Sequence, residues 1–313
     1  MNKQVFVTGG TGFIGSKILR QLKEAKYEPV LLKRSTSETW RIKDLLDDIT
    51  FYDLDKISLE KIFQTEQACG VINLATYYKK QNSFEDVEKM IQTNVEFPCK
   101  LLDLCAQFHV PLFITAGSYF QYEKKGGNIV GNTHLIGQDL YAATKNALQS
   151  IMDYYSSVHG LLTVDMILFS PYGEMDHEEK LIPYLIKQIL DRRPVKLSYG
   201  FQRLNLLHVD DVARAFVKAL DISKRDDSLN LKVNLGSNRS YSIREIVTIM
   251  EEIMGSHIDV TWGSIPAENI DLNDSLEIDM AESKRYIDWS PEVNIYEGLR
   301  RTIDYYQDSR EKL

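Results

Sequence analysis

Residues Val5-Phe6-Val7-Thr8-Gly9-Gly10-Thr11-Gly12-Phe13-Ile14-Gly15 form an apolar run that leads directly into closely spaced glycines. The spacing fits both Gly-x-Gly-x-x-Gly and Gly-x-x-Gly-x-x-Gly, between a predicted strand and a predicted helix. Gly10 or Gly12 allows a tight turn and close approach of a pyrophosphate, and Gly15 allows the helix to pack near the strand. The N–H groups at the helix N-terminus then face the pyrophosphate. The pattern predicts a dinucleotide site, the alternative being a glycine-rich turn without a ligand. The residues assigned to the cofactor are Gly9, Thr11, Gly12, Phe13 and Ile14.

Strand-like and helix-like stretches alternate through the first half of the chain. Several of the strands are continuous apolar runs, typical of a parallel sheet buried on both faces. Ser83 with Asp86 resembles a capping box, and Pro98 should kink or break its helix. The alternation predicts an α/β fold with a Rossmann-like, doubly wound parallel sheet. Strands are predicted at residues 4–8, 29–33, 49–53, 70–75, 111–115 and 162–169, and helices at about 15–26, 57–66, 84–107 and 140–158.

The second half of the chain is less regular. Asp210 and Asp211 suit the start of a helix, and Ser242 with Glu245 forms a capping box. No linker separates the halves, so we expect a smaller, mixed α/β C-terminal substrate domain packed on the first domain. Helices are predicted at about 176–192, 212–220, 242–254 and 295–309, with apolar stretches at 204–209 and 232–235. The expected division is a dinucleotide-binding domain of residues 1–169 plus about 203–236, and a substrate domain of about 170–202 plus 237–313.

The composition excludes several classes of protein. The chain has 313 residues, of which 43% are hydrophobic and 26% charged, as in an ordinary soluble globular protein. The net charge of −8 argues against a nucleic-acid surface, so an anionic ligand must be held by local cations. There is no apolar run of about eighteen residues to span a membrane, and the first strand begins too early for a signal peptide. The three cysteines lack paired metal spacing, so we expect a cytoplasmic protein without a metal site.

The end of the second strand indicates which dinucleotide binds. An acidic residue there would bond the ribose 2′-hydroxyl of NAD. Here the strand ends in Lys33-Arg34-Ser35, and two cations with a hydroxyl would hold a 2′-phosphate. We therefore predict NADP(H), the alternative being that Lys33 and Arg34 are solvated loop charges.

A phenol and an ammonium are placed one helical turn apart by Tyr141-Ala142-Ala143-Thr144-Lys145. A free tyrosine has a pKa of about 10, and a cation within reach should lower it, giving a usable general acid or base. Ser118 follows the fifth strand, at the sheet edge where ligands bind in open α/β folds. It is placed to bond a substrate oxygen. The alternatives are a surface Tyr–Lys pair and a turn hydroxyl that caps the backbone.

Taken together, the glycine loop, Ser118, Tyr141 and Lys145 resemble the short-chain dehydrogenase/reductase superfamily. The length and the form Thr-Gly-Gly-Thr-Gly-Phe-Ile-Gly resemble its extended branch, which acts on nucleotide sugars. This resemblance implies that Tyr141 transfers the proton, that Lys145 lowers its pKa and bonds the nicotinamide ribose, and that Ser118 polarises the reacting oxygen. It implies further cofactor contacts from Asp53, Leu54, Leu74, Ala75, Thr76, Asn94, Phe169 and Pro171, and substrate contacts from Tyr119, Ser170 and Tyr172.

Departures from neighbouring patterns narrow the reaction. Sugar 4,6-dehydratases of this branch carry Asp-Glu after the catalytic hydroxyl, whereas Tyr119 and Phe120 stand there in this chain. Nucleotide-sugar 4-epimerases hold NAD tightly. The second strand of this chain ends in Lys33-Arg34, which argues against that class. NADPH is usually a spent reductant, so net reduction is expected.

A finer resemblance concerns residues 33–42, Tyr172-Gly173 and Lys180-Leu181-Ile182-Pro183, which look like bacterial CDP-abequose and CDP-paratose synthases. It implies NADPH-dependent reduction of the 4-keto group of a nucleotide-linked, CDP-linked 6-deoxy or 3,6-dideoxy hexulose for surface polysaccharide. The alternatives are a 4-epimerase, a reductase of a non-sugar ketone, and a catalytically silent NADP-binding scaffold.

The substrate diphosphate needs cations, and Arg203 is the first candidate, with Arg239 the second. The branch places an arginine four residues before His208, where this chain has Leu204, and an asparagine where it has Ser170. His208 is interpreted as structural, and residues 176–179, Asp-His-Glu-Glu, as a solvated helix start rather than a metal site.

The resemblance also implies a homodimer in which helices 84–107 and 140–158 pair with their copies as a four-helix bundle. Leu101, Leu104, Leu148 and Met152 would lie on the paired faces, or equally in the internal core.

Overall fold

A computed structural model of the chain describes residues 3–79, 81–123, 127–129, 133–222, 230–265 and 276–311. In chain order its strands are β1 (Gln4–Thr8), β2 (Glu28–Lys33), β3 (Thr50–Asp53), β4 (Gly70–Asn73), β5 (Leu112–Ser118), β6 (Gly127–Ile129), β7 (Leu162–Leu168), β8 (Ser170–Tyr172), β9 (Val195–Lys196), β10 (Arg203–Leu204), β11 (Leu206–His208), β12 (Asn230–Leu235), β13 (Tyr241–Ser242), β14 (Val260–Thr261) and β15 (Leu276–Ile278).

Its α-helices are α1 (Phe13–Glu24), α2 (Leu59–Thr65), α3 (Phe84–Ile91), α4 (Phe97–Gln107), α5 (Leu140–His159), α6 (Leu181–Leu190), α7 (Val209–Ala219), α8 (Ile243–Met254), α9 (Ala281–Ile287) and α10 (Ile295–Glu311). No helix of the described ranges is long and apolar enough to cross a membrane.

The centre of the fold is a seven-stranded sheet in the order β3-β2-β1-β4-β5-β7-β12, and all its neighbouring strands are parallel. Alternate residues of one strand point to opposite faces. Val5 and Val7 of β1 therefore pack against α1 and α7, while Phe6 packs against α2, α4 and α5. This arrangement confirms the predicted doubly wound α/β fold.

The long helix predicted at 84–107 is interrupted near Pro98, as the sequence predicts. A π-helical turn, Gln92–Glu96, separates α3 from α4, and Pro98 lies in the first turn of α4. Proline lacks the N–H that would donate to the carbonyl four residues earlier, so the hydrogen-bond pattern of the helix changes just before it. The capping boxes at Ser83 and Ser242 are both present.

A second apolar core lies outside the main sheet. It is formed by α6, α8 and α10 with β9 and β11, through residues such as Leu185, Ile246 and Leu299. The domain boundaries given above stay a prediction.

Some of the predicted element bounds were wrong in detail. The helix predicted at 176–192 begins only at Leu181, and the fifth strand runs to Ser118 instead of ending at residue 115. The residues proposed for helix pairing are buried in the core against the sheet, because they face Phe6 and Phe113 rather than solvent. Internal core is therefore the correct alternative for Leu101, Leu104, Leu148 and Met152.

Candidate active site

A cavity of about 940 Å³ lies at the carboxyl ends of the central strands. This is the edge at which open α/β sheets bind ligands. The glycine loop lines one side, and α5 contributes Tyr141 and Lys145. Predicted site residues that line it are Gly9, Thr11, Gly12, Phe13, Ile14, Lys33, Arg34, Leu54, Leu74, Ala75, Thr76, Tyr119, Tyr141, Lys145, Phe169, Ser170, Pro171 and Tyr172.

The glycine loop is shaped so that side chains cannot be added to it. Gly9 has a φ of +66°, and a Cβ there would stand 2.6 Å from the carbonyl carbon of Leu74. A Cβ at Gly15 would stand 2.2 Å from the carbonyl oxygen of Gly9. Gly12 caps α1, whose first N–H groups have no partner within the helix. The loop therefore forms a backbone cradle suited to a pyrophosphate.

The end of β2 presents two cations and a hydroxyl to the cavity, although the hydroxyl is not the predicted one. Lys33, Arg34 and Ser37 line it. The Ser35 hydroxyl instead donates to Asp53 over 2.6 Å, and the Ser35 N–H donates to the carboxylate of Asp55 over 2.8 Å. The prediction for Ser35 is therefore corrected to Ser37, because the turn points Ser35 toward β3. Asp53 is held in the same contact and does not line the cavity.

The head of α5 carries the phenol and the ammonium. Asp139 caps the helix by accepting from Ala142 N–H over 2.7 Å, which fixes the first turn. Lys145 Nζ donates to the carbonyl of Ala116 over 2.8 Å and stands 5.7 Å from the ring centroid of Tyr141. The Tyr141 phenol hydrogen-bonds with the side chain of Thr76. The ring of Tyr78 packs edge-on against Tyr141, with centroids 5.0 Å apart.

Burial controls the protonation of this pair. It raises the pKa of Tyr141 to about 12, while the hydrogen bond with Thr76 acts to lower that pKa. Burial also lowers the pKa of Lys145 to about 8, while the carboxylate of Asp165 opposes that change. The pKa of Tyr141 therefore moves upward in this structure, opposite to the direction predicted from the nearby cation, because loss of hydration disfavours the phenolate. A phenol held neutral is a proton donor.

Ser118 ends β5 and is buried. Its hydroxyl accepts from Phe120 N–H over 3.4 Å, and its own N–H donates to Gln121 Oε1 over 2.7 Å. Gln121 Nε2 in turn donates to Asp165 over 3.2 Å. The neighbours Gly117 and Tyr119 line the cavity, whereas Ser118 does not. The capping role that was the alternative for this hydroxyl is thus observed.

Asn94 lies in the π-helical turn and is buried behind the cavity wall. It accepts from Tyr77 N–H over 2.8 Å and from Thr76 over 3.2 Å, and it donates to the carbonyl of Tyr77 and to Thr144. Since Thr76 bonds Tyr141 and Thr144 lies in α5, Asn94 braces both sides of Tyr141.

The arginines predicted for the diphosphate are directed elsewhere. Arg203 donates to the carbonyl of Ser240 over 2.5 Å and pairs with Glu245 at 3.1 Å, and Arg239 pairs with the same carboxylate. Neither lines the cavity. Their charges are used at the start of α8, where Glu245 caps the helix.

Lys180 and His177 line one end of the cavity instead. Lys180 Nζ stands 5.3 Å from the ring centroid of Tyr78, the residue that packs on Tyr141. Asp176 lines the same end and is buried, and burial raises its pKa to about 6. Residues 177–179 are exposed, as the interpretation of a solvated segment expects, but Asp176 is buried and the helix begins only at Leu181.

A charged cluster joins the glycine-loop helix to the C-terminal helix. Glu174, His208 and Asp210 have ligand atoms within 4.8 Å of one another, but Lys17 and Arg301 pair with the carboxylates. His208 is buried at the start of α7 and accepts from Asp210 N–H over 3.3 Å. This is the geometry of an ion-pair cluster with a structural histidine.

Sequence reasoning missed Ser37, Lys180 and Asp165. Lys180 stands in the quoted stretch 180–183, so a search for every cation near Tyr172 would have found it. Asp165 is a lone carboxylate inside the apolar run Leu162–Leu168, which is itself a signal.

Comparison with known proteins now decides the family. The profile of the NAD dependent epimerase/dehydratase family matches residues 5–236. The chain belongs to this family. The match confirms the resemblance drawn from the glycine loop, Tyr141 and Lys145. Members of the epimerase/dehydratase family with different reactions are similar to this chain at comparable levels.

A CDP-abequose synthase of Salmonella muenchen is 24% identical over 305 residues, covering 97% of this chain and 98% of the relative. A UDP-glucuronate 4-epimerase of Thermodesulfobacterium geofontis is 26% identical over 327 residues, covering 97% and 96%. Among solved structures, a UDP-glucuronic acid 4-epimerase of Bacillus cereus in complex with UDP-glucuronic acid and NAD has a TM-score of 0.86, at 24% identity and 98% and 99% coverage. The structural likeness shows the fold.

Proposed function

We propose that this protein uses NADPH to reduce the 4-keto group of a nucleotide-linked 6-deoxy or 3,6-dideoxy hexulose. The nucleotide is CDP, and the product is a sugar for surface polysaccharide. The observation that carries the proposal is that the phenol of Tyr141 and the ammonium of Lys145 line the same cavity as the glycine loop. Ketone reduction needs a proton donor beside the reacting oxygen. Full-length similarity to CDP-abequose synthase supports the substrate class.

The residues fit a nicotinamide dinucleotide. The cradle at Gly9 and Gly15 leaves no room for a Cβ but leaves backbone open to a pyrophosphate. When bound, the reduced nicotinamide supplies the hydride for carbon four. Tyr141 donates the proton to the oxygen at carbon four, and Lys145 provides a positive charge behind it. The Ser118 hydroxyl accepts from Phe120 N–H, and its own O–H remains available to donate toward the oxygen at carbon four.

The preference for NADPH rests on Lys33, Arg34 and Ser37, which line the adenosine end of the cavity. A 2′-phosphate carries about two negative charges and accepts charge-assisted hydrogen bonds. Asp53 is directed to Ser35 and lies 3.5 Å from Lys56, so it is partly neutralised. The local balance of charge at the cavity is positive.

Lys180 and His177 are our candidates for holding the substrate diphosphate, in place of Arg203 and Arg239. They line the cavity, and Lys180 is close to Tyr78, which packs on the proposed catalytic Tyr141. A flexible ammonium at this point can follow a diphosphate as a point charge.

Dehydration of the 4,6-dehydratase type is disfavoured by the cavity wall. Tyr119 and Phe120 line it at the positions where those enzymes carry two carboxyl groups. The pKa of Tyr119 is raised to about 12 by burial, and its ring stacks on Phe169 with centroids 5.5 Å apart. This wall packs a sugar ring or a nicotinamide but transfers no proton at neutral pH.

A 4-epimerase is the second candidate, favoured by solved structures of 4-epimerases that carry NAD. The deciding experiment follows NADPH absorbance with CDP-4-keto-6-deoxyglucose and its 3-deoxy form, beside the dTDP-, UDP- and GDP-linked ketosugars. Stoichiometric NADPH oxidation with one of them is expected. Tightly bound NAD in the purified protein, with interconversion of sugars and no net oxidation, would establish the epimerase instead.

We also propose a homodimer through α3 and α5. Phe84, Val87 and Ile91 recur on one exposed face of α3, and Tyr154 and Val158 are exposed on α5. Apolar faces of this kind on two helices suit pairing with a second copy. Sedimentation of the protein should give a dimer, and the substitution V158E should give a monomer. A monomeric wild-type protein would refute the pairing.

A further inference from the structure

The loop after β2 lines the cavity through Arg34 and Ser37, and through Arg41 it contacts a second segment that lines the cavity. Arg34 and Ser37 close a turn at the cofactor end, with Ser37 N–H donating to the Arg34 carbonyl and Arg34 N–H donating to Ser37 Oγ, both over 3.1 Å. Four residues later, Arg41 lies in a short 3₁₀ helix, Trp40–Ile42. We call residues 34–42 the cofactor loop.

Arg41 is buried, with 6% of its surface exposed, and its side chain hydrogen-bonds to a different loop. Its Nε donates to the carbonyl of Met175 over 2.9 Å. Its guanidinium stacks on the ring of Trp40, 4.2 Å from the centroid. Its own carbonyl accepts from Arg20 of α1 over 2.9 Å. A planar, stacked guanidinium of this kind is held in one orientation.

The partner of Arg41 is a strained corner, residues 173–177, which we call the substrate corner. Met175 has a φ of +68°, a left-handed conformation that a side chain with a Cβ adopts at a cost. Surrounding contacts hold it there. Asp176 accepts from Tyr306 at its carbonyl over 2.7 Å, and Glu174 is paired with Lys17.

The substrate corner presents Asp176 and His177 to the end of the cavity proposed for the nucleotide sugar, and α6 with Lys180 follows it. The carboxylate of Asp176 accepts from the backbone N–H of His177 over 2.8 Å, which orients the Asp176 side chain within the corner. Arg41 connects this corner directly to the loop whose other end faces the cofactor site.

We propose that Arg41 is a positioning residue that couples the cofactor loop to the substrate corner, so that a ligand at either end of the cavity strengthens binding at the other. The proposal rests on the proposed function for the identity of the two ligands. A phosphate held by Arg34 and Ser37 orders the loop, and the ordered loop fixes Arg41 and with it the Met175 carbonyl. A second ligand then meets a corner that is already ordered, and the coupling is reciprocal.

The first test measures Kd by calorimetry for NADPH and for CDP, each alone and with the other saturating, with UDP, dTDP and GDP in parallel. For the wild type we expect binding of one ligand to tighten the other by about fivefold or more. The substitution R41Q should bring this factor close to one and leave the Kd of NADPH alone within about twofold.

The matched control is R301Q. Arg301 holds the same corner through Glu174 but comes from α10 and has no contact with the cofactor loop among the described residues. R301Q should weaken CDP binding yet keep the coupling factor. Equal coupling in wild type and R41Q, or equal loss in R41Q and R301Q, would overturn the proposal.

A second readout needs no sugar nucleotide. Hydrogen exchange of residues 173–181 is measured with and without NADPH in the same three proteins. NADPH should slow exchange there in the wild type and R301Q but not in R41Q. No protection in the wild type, or equal protection in R41Q, contradicts the coupling. Where R41Q unfolds, R41K keeps the charge but not the planar fork, and it should show reduced coupling.

These outcomes separate the two proposals. If no ketosugar is turned over but NADPH protects the corner through Arg41, the proposed function fails and the coupling stands. If a ketosugar is reduced but R41Q couples like the wild type, the coupling fails and the function stands.

Discussion

Tyr141 and Lys145 lie one turn apart on α5, yet the ammonium bonds the Ala116 carbonyl and not the phenol. Nζ is 2.8 Å from that carbonyl oxygen and 5.7 Å from the centroid of the tyrosine ring. Lys145 therefore ties α5 to β5, and the phenol is left neutral and directed at the cavity. This relationship favours proton donation over proton abstraction.

The substitution Y141F is expected to lower kcat for ketosugar reduction by about 10² to 10⁴, because the proton donor is lost. The Kd of NADPH should change little, since the ring is retained. Steady-state kinetics and fluorescence titration measure the two effects. Y78F is the matched control, because Tyr78 packs on Tyr141 and lines the same cavity. A Y141F enzyme with wild-type kcat would remove Tyr141 from the mechanism.

Activity should decline as the pH rises above about 8. The pKa of Lys145 is lowered to about 8 by burial, so the ammonium is lost above that value, well below the ordinary lysine range. Because the charge supports the site, kcat falls as the deprotonated form accumulates. A profile of kcat against pH locates this limb. The substitution K145R should lower kcat and abolish the limb, since a guanidinium stays charged. An unchanged limb in K145R would assign it to another group.

Removing both cations at the end of β2 should convert the cofactor preference. Each charge-assisted bond to a phosphate contributes about 1.5–3 kcal/mol, so K33A combined with R34A should raise the Kd of NADPH by at least about tenfold. The Kd of NADH should stay the same. K56A is the control, because Lys56 is exposed beside Asp53 and does not line the cavity. Equal losses for both cofactors would argue against a 2′-phosphate site.

Lys180 and Arg203 should respond differently to truncation. K180A is expected to raise the KM of the nucleotide sugar by about tenfold, because one charge-assisted bond to the diphosphate is lost. R203A should leave KM unchanged and lower thermal stability slightly, since Arg203 serves the start of α8 through Ser240 and Glu245. Kinetics and thermal unfolding of both variants check this. The reverse pattern would return the diphosphate to Arg203.

The buried carboxyl of Asp165 should make stability depend on pH. Burial raises its pKa from 3.8 to about 6, so the folded chain holds this proton more tightly than the unfolded chain does. The free energy of unfolding therefore falls as the pH rises from about 4 to about 6, by up to about 2 kcal/mol. D165N removes the titrating group and should gain stability relative to the wild type as the pH rises. Urea unfolding near pH 4 and near pH 7 measures the difference. A constant difference would show that Asp165 does not titrate in this window.

Local sequence determined most of the sheet and its ligand edge. The glycine loop fixes its own geometry, because positive φ at Gly9 and the close approach of Gly15 exclude side chains at any tertiary placement. The alternating apolar runs fix strand and helix order, and the spacing of Tyr141 and Lys145 fixes their shared helix face. Caps such as Ser83 and Ser242 act within a few residues of themselves, so they could also be predicted.

Tertiary structure decided what each charge and hydroxyl does. Arg203 and Ser35 are polar residues near the predicted site, but their partners, Glu245 and Asp53, come from other segments and draw them away. The pKa of Tyr141 depends on burial by the surrounding chain, which one-turn spacing cannot report. Lys180 and Arg41 gain their places because the corner at Met175 folds back onto the loop after β2. Residue spacing along one helix or strand is set by backbone geometry, whereas partners from distant segments are set by how the layers pack.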